Sequence, residues 1–402
     1  MNRPTLPSDV RGASRLAIDL TLLVTELVET MHHNIVRLPG PLGAATFEPV
    51  GGLTGFVYRR VRGVTRLVGG AIDAALAPLV PLFGGAPDWP GRDAVVAALN
   101  GVFGDYLDET GNPLAIPMHF RLGGTPLELE PAKVAAAAPA ARSRVVVMVH
   151  GLCMSDGQWN RGGQDHGQCL ARDLDADVVY LRYNSGRHIS TNGAELAALL
   201  GRLQSAWPVP LSGIVLVGHS MGGLVARSAC AAAADGAMEW LASLRALVFL
   251  GTPHHGAPLE RGGHGVDLLL AASPYTAAFT RLGRLRSAGI TDLRHGSLRD
   301  QDWAGRDAFA HGTDTRAPLP LPAGVDCHAI AGSLSRALPR GGRARSDGLV
   351  PVGSALGRHA DARMALRFAP GHTWVAYGTG HLDLLASAAV YRQLRHWLAP
   401  AR

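Results

Sequence analysis

Between about Ile116 and the C-terminus, short runs of consecutive apolar residues alternate with longer segments of helical periodicity. Short continuous apolar runs are typical of strands that are buried on both faces. The runs are Val145 to Val149, Val178 to Tyr183, Ile214 to Val217, Ala246 to Leu250, Cys327 to Ala331 and Met364 to Phe368. The helical segments are Glu195 to Trp207, Gly222 to Ala234 and Leu382 to Leu398. The alternation predicts an α/β fold, with a mostly parallel central sheet covered by helices on both faces.

Two shorter features precede the first of these runs. Residues Pro117 to Leu122 and Pro126 to Glu130 alternate apolar and polar positions on either side of Gly123-Gly124. This pattern predicts a β-hairpin. The Ala- and Pro-rich stretch from Pro131 to Ala141 is predicted to be a loop.

The first hundred or so residues have a different pattern, in which apolar residues recur at helical spacing. One apolar face runs from Leu16 to Ile35, a second from Phe56 to Leu76, and a third, shorter pattern covers Asp93 to Leu107. The sequence therefore predicts an N-terminal helical module (residues 1–112) and a second domain (residues 113–402).

The helical module has two interpretations. In the first, its amphipathic helices pack on one another or on the second domain. In the second, one helix lies in a membrane or lipid-particle interface with its apolar face buried. This helix is the second one, which carries Arg59, Arg60, Arg62 and Arg66.

Composition narrows the class of protein. Of the 402 residues, 47 % are apolar and 17 % charged, which excludes a disordered chain. The net charge of +6 comes without a basic run interleaved with aromatic residues, so nothing indicates a nucleic-acid partner. The first apolar stretch carries Asp19 and Glu26, unlike a secretory signal, and no segment resembles a spanning helix. We expect a cytoplasmic protein, with membrane association as the alternative.

Candidate chemistry is concentrated at Gly218-His219-Ser220-Met221-Gly222, which follows a buried run and opens a helical segment. A tight turn between a strand and a helix needs small residues on both sides, and the two glycines provide them. Such a turn exposes the central hydroxyl at the carboxyl end of the sheet. Ser220 is therefore the candidate nucleophile, because the strand–turn–helix context adds force to a short motif that also occurs by chance.

A serine hydroxyl needs a base to take its proton and an acid to orient that base. In sites of this kind the order along the chain is serine, acid, histidine. Asp347 and His381 each follow a predicted strand, so both are expected at the sheet edge that carries Ser220. We predict that Asp347 is the orienting acid and His381 the general base. The competing residues are Asp326, Asp314 and His372.

The oxyanion of an acyl-transfer intermediate needs two N–H donors that are in place before the reaction. The predicted donors are the backbone amides of Met221, directly after the nucleophile, and of Leu152, in the loop after the first central strand. Gly151 allows that loop to turn over the site. A plain strand-terminal turn at His150-Gly151 is the alternative.

Five motifs occur in the order typical of one superfamily. They are Val149-His150-Gly151-Leu152, Gly218-His219-Ser220-Met221-Gly222-Gly223, Gly251-Thr252-Pro253-His254-His255-Gly256, Asp347-Gly348-Leu349-Val350-Pro351 and Gly380-His381-Leu382-Asp383. With them, the chain from about Ile116 to Leu398 resembles the α/β-hydrolase superfamily and, within it, bacterial lipases and esterases. The Thr252 to Gly256 run is also similar to lipase-like proteins related to inositol deacylases. The resemblance implies an α/β-hydrolase fold and a Ser-Asp-His carboxylic ester hydrolase that uses an acyl-enzyme and no cofactor.

Histidines accompany these motifs. The residues predicted to line the substrate cleft are His150, Gly151, His219, His254 and His255. Adjacent histidines on an extended stretch point to opposite faces, so His254 and His255 are poorly placed to bind one ion. No metal site is predicted.

The segment between Gly256 and Ala323 is too long for a plain connection. Its apolar residues at roughly helical spacing are Leu268, Leu269, Leu270, Tyr275, Phe279, Leu282 and Leu285. In the superfamily that the chain resembles, such an insertion forms a cap, which excludes water and offers an apolar acyl pocket. A surface excursion with its own packing is the alternative.

These features predict a hydrolase of esters with hydrophobic acyl groups, in which Ser220 attacks, His381 takes its proton and Asp347 stabilises the imidazolium. One alternative is an acyltransferase with the same residues, and another is a non-catalytic protein that binds lipid or membrane. The expected partners are a small-molecule or lipid ester and, through the N-terminal helices, a membrane or lipid-particle surface. No nucleic acid and no cofactor are expected.

Overall fold

The computed structural model describes residues 8–22, 52–76, 92–256, 287–305, 316–337 and 346–399. The helices are α1 (residues 8–22), α2 (Gly52–Leu76), α3 (Arg92–Glu109), α4 (Pro131–Ala137), α5 (His166–Asp173), α6 (Ile189–Ala206), α7 (Met221–Asp235), α8 (Trp240–Ser243), α9 (Ala288–His295), α10 (Val352–Ala355) and α11 (Ala388–Leu398). The strands are β1 (His119–Leu122), β2 (Thr125–Pro126), β3 (Arg144–Val149), β4 (Asn160–Arg161), β5 (Gln164–Asp165), β6 (Asp177–Arg182), β7 (Gly213–His219), β8 (Leu244–Leu250), β9 (Asp326–Ser333) and β10 (Thr373–Tyr377).

The chain forms two compact units. Unit 1 comprises Met1–Arg92 and Leu107–Ala115, and unit 2 comprises Asp93–Tyr106 and Ile116–Arg402. Most of α3 therefore belongs to the same unit as the sheet. The boundary at residue 112 that the sequence suggests stays a prediction.

Unit 2 is built on a sheet whose described strands have the order β10-β9-β8-β7-β3-β6-β1-β2. From β10 to β6 every neighbouring pair is parallel. Only β1 runs antiparallel to its two neighbours, β6 and β2. The mostly parallel sheet predicted from the apolar runs is confirmed, with the predicted hairpin at one edge.

Burial of both faces explains why the central strands are apolar along most of their length. On one face, α5 and α11 contribute to a core cluster that includes Met148, Val217, Ile330 and Leu394. The alternate residues of β3 point the other way, and Val147 among them is as inaccessible as Met148. Helix α7, which is outside that cluster, contacts β3, β7 and β8 and covers the second face.

Two sequence-based predictions of secondary structure are wrong. Met364 to Phe368 is not a strand, because its amides bond locally: Met364 donates to Asp361 and Leu366 to Gly357. The last strand is β10, whose Thr-Trp-Val-Ala-Tyr sequence has higher strand propensity. The predicted loop after Pro131 begins with α4, in which a proline in the first turn precedes good helix formers.

The helices predicted in the N-terminal region are present where the structure describes them. The pattern from Phe56 to Leu76 corresponds to α2 and that from Asp93 to Leu107 corresponds to α3. The first helix beyond residue 22 lies outside the described residues, and so do the apolar residues of the predicted cap and Asp314. None of the described helices has the length and apolarity needed to cross a bilayer.

Candidate active site

Ser220 lies in the turn between β7 and α7, at the carboxyl end of the sheet. Its φ of 54° and ψ of −124° are costly for any residue with a side chain, by about 1–3 kcal/mol. The turn is fixed by two backbone hydrogen bonds. The Ser220 amide donates to the Leu250 carbonyl at 2.8 Å, and the Ser220 carbonyl accepts from the Gly223 amide at 3.1 Å. The strained strand–helix turn expected from the motif is therefore present.

Two glycines make this turn sterically allowed. A Cβ on Gly218 would lie 2.5 Å from the Cα of Gly223, and a Cβ on Gly222 would overlap the carbonyl oxygen of Val149. Any side chain at these positions would push α7 away from β7 and β3. Glycine is needed here for close approach of the backbones.

His381 and Asp347 form a buried pair beside the same edge of the sheet. His381 Nδ1 lies 2.7 Å from Asp347 Oδ2. The other carboxylate oxygen, Oδ1, accepts from the amides of Leu349 at 3.0 Å and Val350 at 2.7 Å. The His381 amide donates to the Asp347 carbonyl at 3.0 Å. Because the carboxylate only accepts, it holds the proton of a neutral imidazole on Nδ1 and leaves Nε2 as the basic nitrogen.

The backbone joins this pair to the nucleophile. Gly251 directly follows Leu250, the acceptor of the Ser220 amide, and a Cβ there would lie 3.2 Å from both His381 Cε1 and Asp347 Oδ2. His381 Nε2 has no hydrogen-bond partner in the described part of the chain, so it is not bonded to the Ser220 hydroxyl in this state. Contacts of this kind often close only when substrate is bound.

The competing residues lie elsewhere. Asp326 is the first residue of β9, at the opposite end of that strand from the candidate site. His372 precedes β10, and its Nδ1 lies 3.2 Å from the Cys327 carbonyl at the same far end. Of the alternatives named from the sequence, these two are therefore remote from the edge that carries Ser220.

The loop after β3 passes directly over the nucleophile. A Cβ on Gly151 would lie 3.1 Å from the Cβ of Ser220. The Cys153 amide donates to Ser185 Oγ at 3.1 Å, so the Leu152 amide remains the predicted oxyanion donor on this loop. Met221 is the first residue of α7, where an N–H has no acceptor within the helix.

Three of the predicted cleft residues surround this site. Gly151 lies against Ser220, and His219 Nε2 is 3.1 Å from the His381 carbonyl. His150 stacks on Tyr183 with ring centroids 4.3 Å apart, and its Nδ1 lies 2.9 Å from the Gly151 carbonyl. The two buried histidines therefore support the loop and the base.

His254 and His255 take different positions. They line a cavity with Arg227, Leu298, Asp302, Arg316 and Met364, a lining that does not include Ser220. His254 Nδ1 lies 3.3 Å from Nη1 of the buried Arg227. In the described ranges, no three His, Cys, Asp or Glu side chains are grouped as metal ligands would be.

Burial keeps several of these histidines neutral. It lowers the pKa of His150 to about 4, and it holds the pKa of His219 well below the ordinary value, with the nearby His381 as a further cause. Burial and then the Arg227 charge lower the pKa of His254 in the same way. At neutral pH these rings act as fixed hydrogen-bonding groups.

The lowered pKa of His150 predicts acid lability. An unfolded histidine titrates near 6.5, so between about pH 6.5 and 4 the unfolded chain binds a proton that the folded one excludes. Stability due to this ring is therefore lost as the pH falls through that window. Between pH 7 and pH 4.5, the free energy of unfolding should fall by about 2 kcal/mol less in His150→Phe than in the wild type. The measurement is urea titration at each pH. The control is His396→Phe at an exposed position of α11. An equal fall in the free energy of unfolding in the wild type, His150→Phe and His396→Phe would contradict the lowered pKa of His150.

Sequence reasoning missed the residues that hold the loop after β3. Ser185 accepts from the Cys153 amide, and Gly101 of α3 packs against Cys153. The available signal was two glycines, Gly101 and Gly104, within a segment of helical periodicity, since an interior glycine often marks close packing.

Comparison with known protein families by sequence gives a match to part of the chain. The family model described as a PGAP1-like alpha/beta domain matches residues 140–317, a range that contains Leu152, Ser220 and Met221 and ends before Asp347 and His381. The sequence has no match among curated proteins. The resemblance to the α/β-hydrolase superfamily and the α/β fold class, both predicted from the sequence, are confirmed.

Comparison with solved structures also gives matches, including the following three. Mature lipase BlEst2 from Bacillus licheniformis is 20% identical, with a TM-score of 0.39, over 63% of this chain and 91% of its own. A lipase-esterase related protein from Clostridium acetobutylicum is 11% identical, with a TM-score of 0.37, over 70% of this chain and 99% of its own. The type II thioesterase YbtT of a yersiniabactin pathway is 18% identical, with a TM-score of 0.38, over 64% of this chain and 95% of its own.

Proposed function

We propose that this protein is a serine hydrolase of carboxylic esters, from the premise that residues 140–317 match a PGAP1-like alpha/beta domain and that the chain has an α/β-hydrolase fold. The observation that carries the proposal is the pairing of His381 with Asp347 at 2.7 Å beside a serine held at a φ of 54°. A strained serine, an oriented imidazole and a buried carboxylate are the groups that acyl transfer requires.

Each group has one role in the reaction. The Ser220 oxygen attacks the ester carbonyl carbon while His381 Nε2 takes the hydroxyl proton. The amides of Leu152 and Met221 donate to the oxyanion, and the imidazolium, stabilised by Asp347, gives its proton to the leaving alcohol. Water then attacks the acyl-enzyme, with His381 again as base, and releases the acid and the free serine.

The side chains near the nucleophile favour a hydrophobic acyl group. Leu152 is buried in the loop over Ser220, and the Met154 sulfur would lie 3.2 Å from a Cβ on Gly151. On the Asp347 side, Leu334 lies beside Gly348 and Gly380 with 62% of its surface exposed. These apolar groups are suited to an alkyl chain rather than a small polar ester.

The test is hydrolysis of p-nitrophenyl esters of increasing chain length by the full chain, with and without added alcohol. We expect kcat/KM to rise from acetate towards medium-length acyl groups. Formation of a new ester at the expense of free acid would instead support an acyltransferase with the same residues. Absence of Ser220-dependent turnover on every ester would leave the non-catalytic lipid-binding alternative.

We also propose that α2 binds the surface of an anionic membrane. Val61, Val64, Leu67 and Val68 follow helical spacing, and between 42% and 75% of each residue is exposed. Exposed arginines on the same helix, such as Arg59, give it a positive charge. An exposed apolar stripe on a basic helix is the combination that enters a lipid interface.

If α2 binds a membrane, charged residues placed in its apolar stripe (Val61, Val64, Leu67 and Val68) should weaken that binding. We expect Val64→Glu combined with Leu67→Glu to raise the apparent Kd for phosphatidylserine-containing vesicles about tenfold or more, because two apolar contacts are lost. The measurement is co-sedimentation of the full chain. The control is Gly70→Glu, where a Cβ meets nothing within 4 Å. Unchanged binding by the double variant would contradict the proposal.

A further inference from the structure

Helix α3 is interrupted within the part that belongs to unit 2. Phe103 has a φ of −126° and a ψ of 15°, which breaks the helical ladder at that point. The carbonyl of Gly101 accepts from Ser287 Oγ at 2.6 Å, and the carbonyl of Gly104 accepts from Asn184 Nδ2 at 2.7 Å. Next to the kink, two backbone carbonyls of α3 therefore accept hydrogen bonds from side chains of two other segments.

At Gly101, α3 approaches the loop over the nucleophile so closely that there is no room for a side chain on the helix. A Cβ on Gly101 would overlap Cys153 Sγ and lie 2.9 Å from the Cα and the amide nitrogen of Cys153. A Cβ on Gly104 would overlap the Asn184 side chain and lie 3.0 Å from the Cα of Gly186, in the segment after β6. Backbone contacts this close require glycine, because a neighbouring backbone cannot move aside as a side chain can.

Cys153 is itself held in an unusual conformation. Its φ is 58°, a value that residues with a side chain adopt at a cost, and its thiol is buried. On one side its amide donates to Ser185 Oγ at 3.1 Å, and on the other it packs against Gly101. A strained residue persists only where its surroundings fix it, and here two separate segments do so.

We propose that Gly101 and Ser185 are positioning residues that aim the Leu152 amide at the oxyanion by clamping Cys153, the next residue in the chain. The inference rests on the proposed function, since it assigns a task within that acyl transfer. Oxyanion donors act only when they are placed before the reaction, and a displacement of about 1 Å can lower the rate about 10²-fold. A stretch of α3 would thereby control kcat through the position of the Leu152 amide.

The test is steady-state hydrolysis of the best p-nitrophenyl ester by Gly101→Ala. We expect kcat to fall about 10²-fold while KM changes less than threefold, because a displaced oxyanion donor affects the transition state and not the bound ester. Adding Cys153→Ala removes the overlapping sulfur and should restore about tenfold in kcat.

The matched control is Gly193→Ala. A Cβ there would overlap Ser228 Oγ and lie 2.9 Å from the Ser228 backbone, so it causes a comparable clash between α6 and α7. We expect a similar fall in Tm for both variants, with kcat within about threefold of wild type for the control only. Equal losses of kcat in the two variants would overturn the positioning role.

Ser185→Ala provides a variant without steric overlap, and it decides the question if Gly101→Ala does not fold. It removes only the acceptor for the Cys153 amide. We expect kcat to fall about tenfold with KM retained. Wild-type kcat in folded Ser185→Ala would overturn the proposal and leave Ser220-dependent hydrolysis standing, whereas a wild-type protein without that hydrolysis would overturn both.

Discussion

Ser220→Ala is expected to lower kcat for ester hydrolysis by about 10⁶-fold, the scale seen when the nucleophile of a serine triad is removed. The residual rate would come from binding and from the oxyanion donors. Labelling by a serine-directed phosphonate, followed by intact mass spectrometry, should occur in the wild type and disappear in the variant. Alanine keeps a Cβ at a φ of 54°, so the turn should remain folded.

Ser205→Ala is the matched control for this change. Ser205 is an exposed residue of α6 whose Oγ donates to the Gly201 carbonyl at 3.0 Å. Its loss should leave both turnover and labelling unchanged. Phosphonate labelling that persists in Ser220→Ala would remove the proposed nucleophile and, with it, both the hydrolase and the acyltransferase.

Asp347→Asn is expected to lower kcat by about 10⁴-fold at neutral pH, as the same change does in a serine protease triad. The geometry explains why the loss should be large. The Leu349 and Val350 amides both donate to Oδ1, so the carboxamide oxygen will occupy that position. The amide nitrogen then faces His381 Nδ1 and donates to it. This bond selects the tautomer that carries its proton on Nε2, which cannot act as the base.

Asp383→Asn tests whether any nearby carboxylate would have the same effect. Asp383 is two residues from His381, and its Oδ2 accepts from the Gly380 amide at 3.1 Å. We expect this variant to keep kcat within about threefold of wild type. Nearly full activity in Asp347→Asn, or an equal loss in Asp383→Asn, would contradict the assignment of the orienting acid.

The sequence was most informative where the fold repeats a simple pattern. Strands such as β3 and β7 are apolar along most of their length because both of their faces are covered, and such runs are easily recognised. The turn at Ser220 could be predicted because a strand, a small-residue turn and a helix follow one another directly. Asp347 and His381 were found from chain order and strand ends, and the structure places them in contact.

The parts of the fold that could not be predicted depend on long-range contacts, which no local sequence pattern encodes. The strand predicted at Met364 to Phe368 is absent, because the Met364 and Leu366 amides bond to Asp361 and Gly357 and β10 lies at the edge of the sheet. His381 follows β10 instead, so it still lies beyond the carboxyl end of a strand. Assignment of α3 to the sheet's unit depends on long-range packing of Gly101, which periodicity alone could not reveal.

The backbone conformation at Ser220 affects which residues evolution can place at this position. Because its φ of 54° disfavours every residue except glycine, the position that would perform chemistry is also one where the protein gives up stability. A descendant that no longer needed the hydroxyl would gain stability by replacing it with glycine. Related sequences with Gly-His-Gly-Met-Gly at this turn would then be proteins that keep the fold but have lost the reaction.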